Sequence, residues 1–178
     1  MRNRRFNYID ITEVLLKKAK PNNDTIAEIS KYKRYNVKNA VFDTKDISYL
    51  ERKPTKIIQS TLGGNFKLIH RIQNKSTPDC EYKNKLLFKN KRYFEIKSPK
   101  KSKTINSRNQ KISRQLNEAK YQSKNVILSL LRKECDLTNK EATEQLLKCL
   151  NSKQYNWINS VILIGKGNYI KVYKKKRP

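Results

Sequence analysis

The sequence predicts an α/β fold, a mixed β-sheet flanked by helices, and three observations predict it. Short apolar runs that alternate with period two, at residues 66–72, 93–97 and within 157–174, are separated by stretches with helical spacing. The run 125–131 is apolar on both parities, as a strand covered on both faces must be. Pro, Gly and Asn clusters mark the boundaries between these segments. A chain of 178 residues fits one domain, or one domain with an extension. The division expected here is an N-terminal extension over 1–40, a helix plus a basic arm, and a main domain over 41–178.

Taken in order, Asp10 with Glu13 three residues on has capping-box spacing before Val14, Leu15 and Leu16, and Pro21-Asn22-Asn23-Asp24 ends that helix. Residues 21–40 lack firm periodicity. Tyr32, Arg34 and Tyr35 there have the basic-aromatic mix that stacks on bases, and equally the makeup of tyrosines closing a lysine-rich surface. Residues 46–62 read as helical with an interruption at Pro54, an apolar face of Ile57, Ile58 and Leu62, and a stop at Gly63-Gly64. In 66–72, Phe66, Leu68 and Ile72 share one side and Ile69 takes the other. Lys89-Asn90-Lys91 marks a turn between Leu86-Leu87-Phe88 and the strand 93–97. Ser98-Pro99 ends that strand, and Lys100, Lys101, Lys103 and Arg108 follow in a basic loop. Ile105, Ile112, Leu116 and Ala119 then line up as a helical face carrying Arg114, Gln115 and Gln122 as polar groups of interest. Thr138 with Glu141 is a second capping box, opening a helix over 142–150 with Leu146, Leu147 and Leu150 inward. Trp157, Val161 and Leu163 face Tyr169, Ile170 and Val172 across Gly165-Lys166-Gly167, a hairpin turn that lacks the spacing and following helix of a phosphate loop.

The chemistry-bearing pattern is Thr77-Pro78-Asp79 followed by Glu95-Ile96-Lys97. Alternation turns Phe94 and Ile96 to one side, which reads as core, and Tyr93, Glu95 and Lys97 to the other. A carboxylate and an ammonium then lie side by side, within reach of a shared metal and a substrate phosphate. The bland alternative is a surface strand with an ordinary Glu/Lys pair. Asp79 in the preceding stretch and the charge of the whole chain favour the functional one. His70 is the sole histidine, so two-histidine ribonuclease chemistry is excluded. It is either a hydrogen-bonded structural residue or a phosphate contact.

Pro78-Asp79 with Glu95-Ile96-Lys97 resembles the PD-(D/E)xK nuclease superfamily. The ordered pieces Glu51-Arg52-Lys53-Pro54, Leu62-Gly63-Gly64, Lys67 to Ile72, Thr77-Pro78-Asp79, Phe94 to Lys97, Gln122 to Leu128 and the closing hairpin resemble, more narrowly, the C-terminal tRNA-nuclease toxin domains of contact-dependent inhibition proteins and their phage and mobile-element relatives. The similarity covers roughly residues 41–174. It implies a restriction-endonuclease-like core in which Asp79 and Glu95 hold Mg²⁺ or Mn²⁺, Glu51 completes the shell and Lys97 orients the attacking water. Gln122, and after it Arg114, would contact phosphate or that water. It further implies a metal-dependent endonuclease acting on structured RNA, tRNA above all, as a toxin. Such a toxin would be bacterial or phage-encoded, act in the cytoplasm of a target cell after delivery, and be held in check by an acidic immunity protein.

Composition bounds the substrate class. Lys and Arg number 42 against 15 Asp and Glu, a formal charge of +27 spread along the whole length, so the partner is a polyanion bound through its backbone. Lys100, Lys101, Lys103 and Arg108, with His70 and Arg114, are the candidate substrate contacts. Charge alone leaves two other classes open: a metal-dependent DNA endonuclease of restriction or repair type using the same three residues, and a non-catalytic nucleic-acid-binding protein. Cys80, Cys135 and Cys149 are odd in number without a Cys-x-x-Cys pair, which indicates neither a disulfide framework nor a zinc knuckle. No run approaches 18 apolar residues, and Met1 to Arg5 lacks the apolar stretch of a secretory signal.

Overall fold

The alternating runs pair edge to edge. The computed structural model describes residues 7–30, 42–43 and 47–176. Within them the chain runs β1 (Tyr8–Asp10), α1 (Thr12–Lys18), β2 (Ala27–Ile29), β3 (Phe42–Asp43), α2 (Tyr49–Leu62), β4 (Asn65–Ile69), β5 (Arg71–Ile72), β6 (Cys80–Lys83) and β7 (Arg92–Lys97). It continues with α3 (Ile105–Asn109), α4 (Lys111–Ala119), β8 (Asn125–Ser129), α5 (Asn139–Leu150), a 3-10 turn (Lys153–Tyr155), β9 (Ser160–Ile164) and β10 (Ile170–Lys175). Eight strands form one mixed sheet in the order β1-β10-β9-β8-β7-β6-β4-β2, and β3 with β5 make a separate ribbon. The strands β7, β8 and β9 run parallel at the centre, flanked by antiparallel β6 and β10. The α/β class with a mixed sheet and flanking helices is as expected.

Period-two alternation divides the central strands between two cores. Val126 and Leu128 of β8 enter one with Ile112 and Leu116 of α4 and Leu146 of α5. Ile127 enters the other with Ile58 and Leu62 of α2 and Phe94 of β7. All of these are at most 1% exposed, and each such aliphatic contributes on the order of 1.5–3 kcal/mol by leaving water. The central strand expected at 125–131 is thus central because helices cover both sides. Cys80, Cys135 and Cys149 are free and buried, small core residues as expected.

Several local details differ from expectation, each for a physical reason. Asp10 does not cap a helix; it ends β1, and its Oδ1 accepts from the Thr12 amide while α1 starts at Thr12. The segment expected as a basic arm supplies β2, a three-residue strand too short to show a period, and β1 and β2 form the two outer edges of the sheet. Tyr32, Arg34 and Tyr35 lie outside the described residues. Pro54 does not interrupt α2: the helix runs through it, forfeiting only the bond that residue 54 would give to the Leu50 carbonyl, while Pro54, Thr55, Ile58 and Leu62 bury one face. Gly63, at φ 73°, ends the helix as expected. The partner of β7 is Cys80–Lys83, because the 86–88 segment folds into a turn closed by Leu87 and Phe88 amides on the Asn84 carbonyl. Ile105 is 80% exposed because α3 ends before α4 begins, and Leu147, 39% exposed, falls off the inward stripe of α5. The Thr138–Glu141 capping box and the terminal hairpin stand as expected.

Candidate active site

The site lies where β6 meets β7. Antiparallel pairing sets Cys80 opposite Phe94, so the next residue, Asp79, falls beside Glu95. Three backbone links fix it: the Asp79 amide donates to the Phe94 carbonyl, its carbonyl accepts from Ile69 N–H, and its Oδ2 accepts from the Ile96 amide at 2.7 Å. Glu95 and Lys97 share a face of β7, as period two requires, and the Lys97 ammonium donates to Glu95 Oε1 at 2.7 Å. A second Lys97 bond, 3.0 Å long, reaches Gln122 Oε1. Gln122 is held there because the Ser123 hydroxyl and the Asn125 side-chain Nδ2 both donate to the Tyr93 carbonyl, tying the α4–β8 turn to β7. Sequence spacing of 43 residues between Asp79 and Gln122 is thereby folded into one constellation with Glu95 and Lys97.

Electrostatics at this point are unusual. Asp79 and Glu95 are 5% and 1% exposed. Burial, with the Glu95 charge beside it next in size, holds the Asp79 carboxyl well above the usual carboxylate range. Burial also pushes Glu95 up, with Lys97 pulling it back. Glu95 Oε2 is buried with no hydrogen-bond partner, and so is the Ser98 hydroxyl one residue past the strand. An unpartnered buried carboxylate oxygen is costly in a finished protein interior, and normal where a ligand completes it.

Next to the pair, reaching it through Lys97 and Arg71, lies a cleft of about 430 Å³ whose lining includes Glu51, Arg71, Lys97, Lys100, Lys111 and Arg132, with Ser98, Gln115 and Glu118. Of the expected substrate contacts, Lys100 is here; Lys101, Lys103, Arg108 and Arg114 are not among the described residues that line it. Arg108 is instead clamped by both oxygens of Glu141, each at 2.8 Å, and Arg114 reaches back to Gln110 along α4. His70 is buried and sits 3.1 Å from Glu28 of β2, whose other oxygen pairs with Arg52, an arrangement that suits a structural histidine. Glu51 lies at the cleft, but its Oε2 accepts from the Ser48 amide in the capping box of α2. Arg71 stands between Glu51 Oε1, at 3.6 Å, and Asp79 Oδ1, at 3.7 Å. Among the described residues no group of three or more His, Cys, Asp and Glu is set to hold a metal ion. The oxygen donors gathered by the fold are therefore the Asp79–Glu95 pair.

Nothing in the sequence marks Arg71 or Lys111 as cleft residues; each is one cation among 42. Arg132 could have been found, since it follows the carboxyl end of a parallel strand, where α/β sheets place their sites.

No helix among the described residues is long and apolar enough to cross a membrane. No curated protein matches the chain. A solved structure, the CdiA-CT/CdiI toxin and immunity complex from Burkholderia pseudomallei, is similar at 15% identity and a TM-score of 0.44, covering 83% of this chain and 98% of that one. The family described as "Contact-dependent growth inhibition CdiA C-terminal domain" matches residues 77–170, more than half of the chain, a span that opens on Thr77-Pro78-Asp79 and holds Glu95, Lys97 and Gln122. The chain therefore belongs to the contact-dependent growth inhibition CdiA C-terminal domain family, a family of toxin domains.

Proposed function

We propose that the chain is a metal-dependent endonuclease of the PD-(D/E)xK kind that cleaves structured RNA, tRNA above all, as the toxin of its family. One observation carries this: a buried, adjacent pair of carboxyls with an unpartnered oxygen, joined through Lys97, which also bonds Gln122, to a cation-lined cleft. A carboxylate–lysine pair on a surface strand would keep both groups solvated, and this pair does not.

The donor set fits a divalent cation. Asp79, pushed up by burial and by the Glu95 charge, and Glu95, pushed up by burial, gain from a positive charge placed between them, and all-oxygen donors suit Mg²⁺ or Mn²⁺. Asp79 and Glu95 would hold it, with Glu51 reaching it directly or through water; when bound, it acidifies water and offsets charge at phosphorus. The remaining work falls to the chain itself. Lys97, held 2.7 Å from Glu95 Oε1, orients the attacking water and stabilises developing negative charge. Gln122 holds that ammonium in place through its Oε1. Arg71, Lys100, Lys111 and Arg132 bind the phosphates on either side of the scissile one. A domain over 41–178 carries this chemistry, and residues 1–40 form an extension whose β1 and β2 close the sheet edges. An acidic immunity protein would cover the mouth near Lys100, complementary in potential and fast to associate. The domain would act in the cytoplasm of the cell that receives it.

The test is incubation of the purified protein and Glu95→Gln with total tRNA, other RNA and plasmid DNA, in Mg²⁺ and in EDTA. Cleavage of tRNA by the wild type alone, only with metal, is the expected result. Cleavage confined to DNA would give the alternative, a DNA endonuclease with the same residues; undiminished cleavage in EDTA would remove the metal.

A further inference from the structure

We propose that the end of the sheet remote from the Asp79–Glu95 pair is a second nucleic-acid docking surface, built to hold the phosphodiester backbone away from the cut. Two hollows flank the turn between β6 and β7. In the first, of about 470 Å³, Lys18 and Lys20 from the end of α1 meet Lys83 and Lys85. In the second, of about 360 Å³, Arg92 at the start of β7 meets Lys174, Lys175 and Lys176 around the edge of Phe88. The described lining of both contains no Asp or Glu, whereas the catalytic cleft includes Glu51 and Glu118.

The convergence of these cations is built in. Gly63 and Gly64 have φ of 73° and 78°, and a Cβ on either would collide with backbone, that of Lys20 at 2.1 Å and that of Lys83 at 2.6 Å. Glycine at both positions is what lets the Lys20 segment and β6 approach. Around them Asn22 donates to the Gly64 carbonyl, Tyr82 to the Gly63 carbonyl, and Asn84 to the Leu62 carbonyl and the Tyr82 hydroxyl. Lys174 donates to the Leu87 carbonyl and lies over the Phe88 ring, as Arg92 does from the other side. That bond joins the second hollow to the turn that borders the first.

Like charges gathered in a braced hollow repel one another, and a polyanion relieves that repulsion. Nucleic acid suits this shape better than an acidic protein. Fixed cations along a track, with no carboxylates to pair with a partner's lysines, match a uniform line of phosphates. The track is far from the cut: Arg92 and Lys97 are the two ends of β7, roughly 16 Å apart. A ligand touching both must span about five base steps of 3.4 Å. This inference rests on nucleic acid as the substrate and not on cleavage.

The experiment uses the Glu95→Gln chain without metal, so that binding is read apart from chemistry. Total tRNA and an RNA of about five nucleotides are titrated at several salt concentrations. The variant carries Lys18→Gln, Lys20→Gln, Lys83→Gln and Lys85→Gln, and a second version has Arg at the same four positions. The Gln set should weaken tRNA binding about 30-fold or more and flatten the slope of log affinity against log salt by about three, with the short RNA unaffected and the Arg set restoring tRNA. If the Gln set loses its far-UV signal, Arg92, Lys174, Lys175 and Lys176 changed to Gln put the same question to the other hollow. Unchanged tRNA affinity and slope overturn the proposal. So does loss of poly-L-glutamate binding with tRNA retained, which would assign the surface to an acidic protein. A wild type that binds tRNA here and cuts nothing would sink the nuclease and leave the docking surface standing.

Discussion

At the Lys97 end of β7, two carboxyls are buried beside one lysine, with Glu51, Arg71 and further cations around them. At the Arg92 end of the same strand, cations gather with no acid among their described neighbours. The two ends of one six-residue strand hold a place where charge is mixed and desolvated and one where it is uniform and half-solvated. The difference teaches what +27 can and cannot do. Uniform positive charge attracts a polyanion at long range; reaction needs negative groups held dry, where a metal or a proton stabilises them. With 15 acidic residues in the whole chain, gathering Glu51, Asp79 and Glu95 around Arg71 and Lys97 is a concentrated use of them.

That contrast can be broken in order of effect. Replacing Asp79, Glu95 or Lys97 by Ala should cut cleavage by about two to three orders of magnitude, the loss typical of one preorganised charge, while tRNA retention and far-UV signal stay near normal. Loss of fold in all three variants would make the set structural. For the basic end, affinity for tRNA should fall about a hundredfold between 50 and 200 mM salt if roughly four phosphates are neutralised. A flat salt response would show that backbone charge is not the driving force.

Glu51 sharpens the boundary between scaffold and chemistry. Glu51→Gln keeps an acceptor for the Ser48 amide and removes the charge, so cleavage should drop about tenfold, on the order of 1.4 kcal/mol, with little change in Tm. Unchanged cleavage would make Glu51 a helix cap alone. The smallest effect concerns stability and pH. The Asp79 carboxyl is raised in the folded chain, so its favourable contribution is complete below the unfolded value, about 3.9, and is lost as pH rises through the folded one. Asp79→Asn, which keeps an acceptor for Ile96 N–H, should therefore raise Tm of the metal-free protein at pH 7–8 by roughly 2–4 °C, what 1 kcal/mol gives at this length. The gain should vanish by about pH 4. A variant less stable than wild type at pH 8 would contradict the burial argument.

Much of this molecule is written locally. The Thr138–Glu141 box, the Gly63 stop, the buried run of β8 and the Glu95/Lys97 face follow from nearest-neighbour spacing, because capping, positive φ and strand alternation are properties of a few adjacent residues. Pro54 misled because a proline's loss of one helix bond is local, while the tertiary packing that buries Pro54, Thr55, Ile58 and Leu62 holds the helix through it. Ile105 misled because a helical period cannot announce a break at Gln110. For the candidate site, Asp79, Glu95, Lys97 and Gln122 were legible and do converge. Arg71, Lys111 and Arg132 were not, since a cation's role depends on what the fold puts opposite it.

The sequence by itself determined the class of fold, the strong net positive charge and which carboxylate shares a strand face with which lysine, since these depend on composition and on periods of two and 3.6. Only the tertiary structure decided that Asp79 and Glu95 are dry and adjacent, that His70 belongs to Glu28, and that Lys20 meets Lys83. Burial and opposite charge arise between residues far apart in the chain, and no local pattern encodes the dielectric that a side chain will feel once the sheet has closed around it.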